Sequence, residues 1–174
     1  MVGRNASTLV VWTVLGLSPA IAQGDDLVRN GFALSPASIP AREIIAGGPA
    51  RDGIPALDQP VTEPAAKSSW GDAEPVLAVV VGAESRAYPV AILNWHELVN
   101  DSLGGVPILV SFCPLCGTGL VFDRRVAGAT RSFGVSGLLF RSDLLMYDRE
   151  SESLWSQISA VAVTGRLRGR RLSL

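Results

Sequence analysis

Both cysteines of the 174-residue chain lie in one short motif, Cys113-Pro114-Leu115-Cys116-Gly117. Proline and glycine are typical of a tight turn. The apolar run at residues 106–112 predicts a strand that leads into this turn, and residues 120–123 predict the strand that leaves it. The motif therefore predicts a hairpin that carries two neighbouring thiols, which can close as a disulfide or bind one soft metal ion.

The region after residue 75 alternates short apolar runs with turn residues. Residues 76–81 and 86–88 flank a turn and predict a β-hairpin, and further short strands follow residue 128. Pro89 suits the first turn of a helix, which we predict over about residues 89–100. We expect an α+β fold, made mostly of short antiparallel strands with this one clear helix.

Helical spacing places Ile92, Trp95, His96 and Val99 on one side of the predicted helix, which we expect to face the interior. The residues that follow Cys116 read as a strand, whereas thioredoxin-type proteins begin a helix at their cysteine motif. The fold is therefore predicted not to be thioredoxin-like.

Three parts of the chain differ in composition. Residues 1–22 combine Arg4 with a short apolar run and end in Ala20-Ile21-Ala22, which is typical of a cleaved secretory signal peptide. Residues 23–75 are rich in proline and predict an irregular but ordered segment, and residues 76–174 predict a β-rich core domain with the cysteine turn. We expect a periplasmic or secreted protein without an integral membrane segment after signal cleavage.

The charge of the chain is nearly balanced. It has 15 basic and 16 acidic residues, with a formal net charge of −1. This balance gives no electrostatic basis for binding nucleic acid. No partner can be named from composition, and a redox partner protein is the one that the cysteine pair suggests.

Several motifs together resemble a known family. They are Ala87-Tyr88-Pro89, Asn94-Trp95-His96-Glu97, Cys113-Pro114-Leu115-Cys116-Gly117-Thr118, Leu144-Leu145-Met146-Tyr147-Asp148-Arg149 and Leu154-Trp155-Ser156-Gln157. In this order they resemble the exported bacterial and archaeal family catalogued as domain of unknown function 3179. That family name implies no activity, so the function stays open.

This chain departs from that family at two places. Relatives run on past the equivalent of Leu174, so we expect a truncated C-terminus and an incomplete core domain. Relatives tend to have glycine where this chain has Glu152. If that turn requires a positive φ, Glu152 costs about 1 kcal/mol there.

Three interpretations of the cysteine pair remain open. In the first, Cys113 and Cys116 are the catalytic groups of a thiol-disulfide oxidoreductase, with a thiolate on Cys113 stabilised by the dipole of the predicted helix. In the second, a metal-dependent oxidoreductase binds copper or zinc through both cysteines, with His96 and Met146 as further ligands. In the third, the pair is a structural disulfide in a non-catalytic binding module. The substrate is not predicted.

Overall fold

The computed structural model describes residues 27–173, so the predicted signal peptide lies outside the described residues. Within this range the chain forms fifteen strands, one α-helix and two short 3₁₀ helices. The strands are β1 (Val28–Arg29), β2 (Phe32–Ala33), β3 (Ile44–Ala46), β4 (Leu57–Asp58), β5 (Val76–Val81), β6 (Glu84–Pro89), β7 (Leu98–Leu103), β8 (Val106–Cys113), β9 (Thr118–Asp123), β10 (Arg125–Val126), β11 (Ala129–Thr130), β12 (Phe133–Phe140), β13 (Asp143–Asp148), β14 (Leu154–Ser156) and β15 (Val161–Ala162). The helices are α1 (Val90–His96) and the 3₁₀ turns Ala41–Glu43 and Ala65–Lys67.

Two sheets form the body of the protein. The first has the strand order β15-β14-β13-β12-β3 and is antiparallel throughout. The second has the order β4-β7-β8-β9, in which only the β4–β7 pair is parallel. Strands β1–β2, β5–β6 and β10–β11 form separate two-stranded pairs. The prediction of an α+β fold with mostly short antiparallel strands is confirmed.

The core lies in layers because alternate side chains of a strand point to opposite faces. One buried cluster lies between the two sheets and includes Leu109, Phe122, Phe133 and Trp155. The opposite face of the second sheet packs against α1 and the β5–β6 hairpin. The opposite face of the first sheet is covered by the N-terminal segment. The second sheet is therefore buried on both faces, which fits the nearly continuous apolar sequence of β8.

The proline-rich segment is part of this architecture. Its strand β3 pairs with β12 at the edge of the first sheet. Its strand β4 pairs with β7 at the edge of the second sheet. Within residues 27–173 no helix is both long enough and apolar enough to cross a membrane.

The helix is shorter than predicted. It ends at His96 because Glu97 adopts a positive φ of 58° and residues 98–103 form strand β7. The phase of the prediction was also wrong, since Leu93 is the fully buried residue and Trp95 lies exposed on the surface. The apolar spacing of residues 92–99 spans the end of α1 and the start of β7, so it does not belong to a single helix.

Candidate functional site

The cysteine motif forms the hairpin predicted from the sequence. Strands β8 and β9 pair antiparallel with Cys113 opposite Thr118, so residues 114–117 form the loop. The backbone N–H of Gly117 donates to the carbonyl oxygen of Cys113 at 2.8 Å, and Gly117 has a positive φ of 64°. Glycine meets this requirement without strain, because it has no Cβ.

The hairpin places the two thiols in different surroundings. Cys113 is the last residue of β8 and points into the cluster between the sheets, where only 2% of it is exposed. Cys116 lies on the exposed loop. The two cysteines lie within 2.9 Å of each other and form no disulfide. The pair thus combines one buried thiol with one that solvent and other molecules can reach.

This difference separates their acidities. Burial raises the pKa of Cys113 to about 11, and the hydrogen bond to Cys116 adds to this effect. Partial burial also raises the pKa of Cys116, but hydrogen bonds from Cys113 and Thr118 outweigh it and bring that pKa below its ordinary value. Burial therefore disfavours the thiolate expected on Cys113, and the lowered pKa belongs to Cys116. The hydrogen bonds that lower the pKa of Cys116 come from the neighbouring thiol and from Thr118.

The turn between β12 and β13 lies next to the cysteines. The thiol of Cys113 lies 3.9 Å from the carbonyl oxygen of Ser142. The carboxylate of Asp143 is close enough for its charge to raise the pKa of Cys116. Burial raises the pKa of Asp143 itself, against hydrogen bonds from the hydroxyl of Ser156 and the N–H of Ile158. A buried acid therefore flanks the accessible thiol.

A buried amide supports the base of the hairpin. The Nε2 of Gln157 donates to the hydroxyl of Ser111 at 3.0 Å and to the carbonyl oxygen of Thr118 at 3.1 Å. Its Oε1 is buried and has no hydrogen-bond partner within the described residues. The sequence offered one signal for this residue, its place in the motif Leu154-Trp155-Ser156-Gln157. Nothing in the sequence connected it with the cysteines.

The other two predicted metal ligands lie in different environments. The Nδ1 of His96, which is half-buried, lies 2.8 Å from the carbonyl oxygen of Pro55. Met146 is fully buried in the cluster that also contains Cys113. Among residues 27–173, no group of three or more His, Cys, Asp and Glu side chains is placed to hold a metal ion. The copper or zinc site stays a prediction.

A cavity of about 280 Å³ adjoins the cysteine loop. Pro114 and Leu115 form one side of it, and Asn94 and Glu97 line it from the end of α1. The rest of the wall is mostly apolar: Ile54, Val135, Leu138, Leu139 and Leu144. Burial raises the pKa of Glu97. Sequence reasoning missed this carboxyl, because Glu97 lies off the side of the predicted helix that was expected to face the interior.

A larger cavity of about 830 Å³ lies between the proline-rich segment and the β5–β6 hairpin. Its main polar cluster is internally satisfied, because Arg86 and Tyr88 both donate hydrogen bonds to the carboxylate of Asp101. Neither cysteine lines this cavity. The smaller cavity is the one that adjoins the cysteine hairpin, because Pro114 and Leu115 of its loop form part of the wall.

The fold and the site define an α+β protein with a dithiol hairpin at its surface. Residues 51–174 match the family described as "protein of unknown function (DUF3179)", and the chain belongs to that family. The family membership that the sequence motifs indicated is thereby confirmed. No curated protein and no solved structure matches the chain.

Proposed function

We propose that this protein is a thiol-disulfide oxidoreductase in which Cys116 attacks and Cys113 resolves. The observation that carries the proposal is the asymmetry of the pair. The exposed thiol has the lowered pKa, and the thiol that stabilises it is buried next to it. Exchange requires an accessible thiolate and a second thiol within reach of it.

The reaction is a two-step exchange with a disulfide-bearing partner. The thiolate of Cys116 attacks one sulfur of the partner disulfide, forming a mixed disulfide and releasing the other partner sulfur as a thiolate. The sulfur of Cys113 then attacks the sulfur of Cys116 in the mixed disulfide, and the second partner sulfur leaves. The proton of Cys113 passes to that leaving sulfur. The cysteine pair loses two electrons and becomes a disulfide, while the partner disulfide gains them and becomes one thiolate and one thiol. The reverse sequence oxidises a dithiol partner.

The proposed location is the periplasm or the cell exterior. The signal peptide expected at residues 1–22 supports it. Neighbouring thiols are oxidised there unless a metal or a reductant intervenes. The proposed partner is accordingly another redox protein.

Single-cysteine variants test the proposal, with the neutral probe 2-hydroxyethyl disulfide. We expect reduced Cys113→Ser protein to accumulate a mixed disulfide with the probe, because its resolving thiol is missing. Cys116→Ser should react at least roughly tenfold more slowly, because a buried thiol of raised pKa holds little thiolate. The parent protein should release two probe thiols and end with an internal disulfide, and the double variant is the control.

Three results overturn the proposal. Equal rates for the two single variants remove the asymmetry on which it rests. A pair that the probe does not oxidise at all favours a binding module in which the cysteines are structural. Stoichiometric copper or zinc in the purified protein, with both thiols protected from the probe, favours the metal-dependent alternative.

A further inference from the structure

Three large apolar side chains are exposed on the cysteine loop and on two segments that adjoin its strands, α1 and the end of β14, and we call them the apolar rim. They are Trp95, Leu115 and Ile158, with exposed fractions of 78%, 69% and 58%. Leu115 precedes Cys116 in the loop, and the N–H of Ile158 binds Asp143, whose charge reaches Cys116. Trp95 follows Asn94, which lines the same cavity as Leu115. Exposed apolar groups that cluster at one place mark an interaction site.

The cavity beside the loop provides a receptacle within this surface. Its volume of about 280 Å³ exceeds the ~30 Å³ share of one water molecule several times, so it has room for a branched aliphatic side chain. Its walls are mostly apolar, which favours burial of such a group. Pro114 and Leu115 belong to both the loop and the cavity wall, so the cavity lies beside the residue that precedes Cys116.

The charge at this site is negative. Glu97 is the one charged side chain on the cavity wall, and within the described residues no hydrogen bond or ion pair engages its carboxyl group. Asp143 adds a second acid beside the thiol. The neighbouring cation, Arg141, is paired with Glu43 at 2.8 Å. A basic group of a bound partner therefore meets an available carboxyl, and an acidic group meets repulsion.

We propose that the apolar rim and the cavity dock an extended polypeptide segment of the redox partner. In that segment an aliphatic residue and a basic residue flank the disulfide cysteine. The aliphatic side chain enters the cavity, and the basic group faces Glu97. The proposal rests on the thiol-disulfide function above and names the class of its substrate.

Short peptides whose cysteine is activated as a mixed disulfide with 2-thiopyridine serve as probes. The thiolate of Cys116 attacks the peptide sulfur and expels 2-thiopyridone, whose absorbance gives the rate. With the reduced full chain, we expect a peptide with leucine and lysine next to its cysteine to react about tenfold faster than one with glycine and lysine. We also expect it to react several-fold faster than a leucine and glutamate peptide at low salt, with a smaller gap at high salt.

Variants assign the two preferences to residues. Trp95→Ser and Leu115→Ser should reduce the preference for leucine, and Glu97→Gln should remove the preference for lysine while that for leucine stays. Val80→Ser is the matched control, because Val80 is 72% exposed but lies on β5 and does not line the cavity. It should leave both preferences unchanged.

Failure of this inference differs from failure of the proposed function. Equal rates for all peptides overturn the docking site, even where 2-hydroxyethyl disulfide still converts the pair into an internal disulfide. Preferences that persist in all three site variants also overturn it. A parent protein that forms no internal disulfide with 2-hydroxyethyl disulfide overturns the proposed function itself.

Discussion

Two turns at strand ends in this protein differ in how completely their polar groups are hydrogen-bonded. At the Asp148 turn, which follows β13, the buried carboxylate accepts hydrogen bonds from the N–H of Ser151 at 2.7 Å, its hydroxyl at 2.5 Å and the indole N–H of Trp155 at 2.9 Å. At the cysteine turn, one thiol is open to solvent and the Oε1 of nearby Gln157 has no partner within the described residues.

The Asp148 turn is thus structural, whereas we propose that the cysteine turn is reactive. A buried carboxylate is tolerated where several donors surround it, and such a turn fixes the strands on either side. An accessible thiol with a lowered pKa contributes little to stability and is typical of a reactive site. We therefore expect substitutions at the first turn to change the free energy of unfolding, and those at the second to change reactivity.

The largest expected effect is that of Asp148→Ala. It leaves the N–H groups of Ser151 and Trp155 without an acceptor and removes one of the two partners of the Ser151 hydroxyl, so we expect the free energy of unfolding to fall by about 3 to 5 kcal/mol. Urea unfolding measures it, with Asp123→Ala as the control, because Asp123 pairs with Arg125 near the surface and should cost about 1 kcal/mol or less. If Asp148→Ala does not fold, Asp148→Asn keeps one acceptor oxygen and should show a smaller loss. Equal losses for Asp148→Ala and Asp123→Ala would remove the distinction between the turns.

The same substitution at the two cysteines sharpens the comparison within one turn. Cys113→Ser places a hydroxyl in an apolar cluster and should cost about 1 to 2 kcal/mol of unfolding free energy. Cys116→Ser changes an exposed side chain and should stay within about 0.5 kcal/mol of the parent. Urea unfolding under reducing conditions measures both. A larger loss for Cys116→Ser contradicts the burial assigned to the pair.

The third prediction concerns strain beside the Asp148 turn. Glu152 has a positive φ of 57°, which is the condition under which we expected it to strain the backbone. Its carboxylate pairs with Arg51 at 2.9 Å. Glu152→Gly and Glu152→Ala both lose this ion pair, but only glycine relieves the backbone. We expect the glycine variant to be more stable than the alanine variant by about 1 kcal/mol. Equal stability in thermal or urea unfolding would show that this backbone is not strained.

The smallest expected effect is that of Asp143→Asn on the reactive turn. The charge of Asp143 raises the pKa of Cys116, so its removal should lower that pKa further. The rate of alkylation of Cys116 follows its thiolate fraction, and its pH profile should therefore shift to lower pH. Glu43→Gln is the control, because Glu43 pairs with Arg141 in the same region of the surface. A shift to higher pH contradicts the assigned role of Asp143.

Local sequence patterns predicted the hairpins well. The β5–β6 hairpin and the strands flanking the cysteine loop follow from short apolar runs separated by Gly and Pro. The end of α1 could not be predicted in this way, because Glu97 adopts a backbone conformation that its residue type does not favour. The apolar residues at the start of β7 fall at positions that also fit a continuing helix, so the pattern predicted one.

Tertiary contacts set the chemistry of the site, and for that reason the sequence alone did not give it. The spacing of Cys113 and Cys116 predicted that they meet, but not which thiol is buried. That depends on β8 packing against the first sheet, since residues 113 and 144 share one buried cluster. Gln157 and Asp143 reach the hairpin only after β13 and β14 pair, more than 25 residues further along the chain.

The difference between the two thiols is tested most directly by alkylating the reduced protein with iodoacetamide over a range of pH, with each cysteine followed separately by mass spectrometry. We expect Cys116 to react half-maximally below the pH of an ordinary cysteine, about 8.5. We expect Cys113 to stay unmodified until the pH approaches about 11. Coincident profiles for the two cysteines, or faster alkylation of Cys113, would contradict the proposed difference between the thiols.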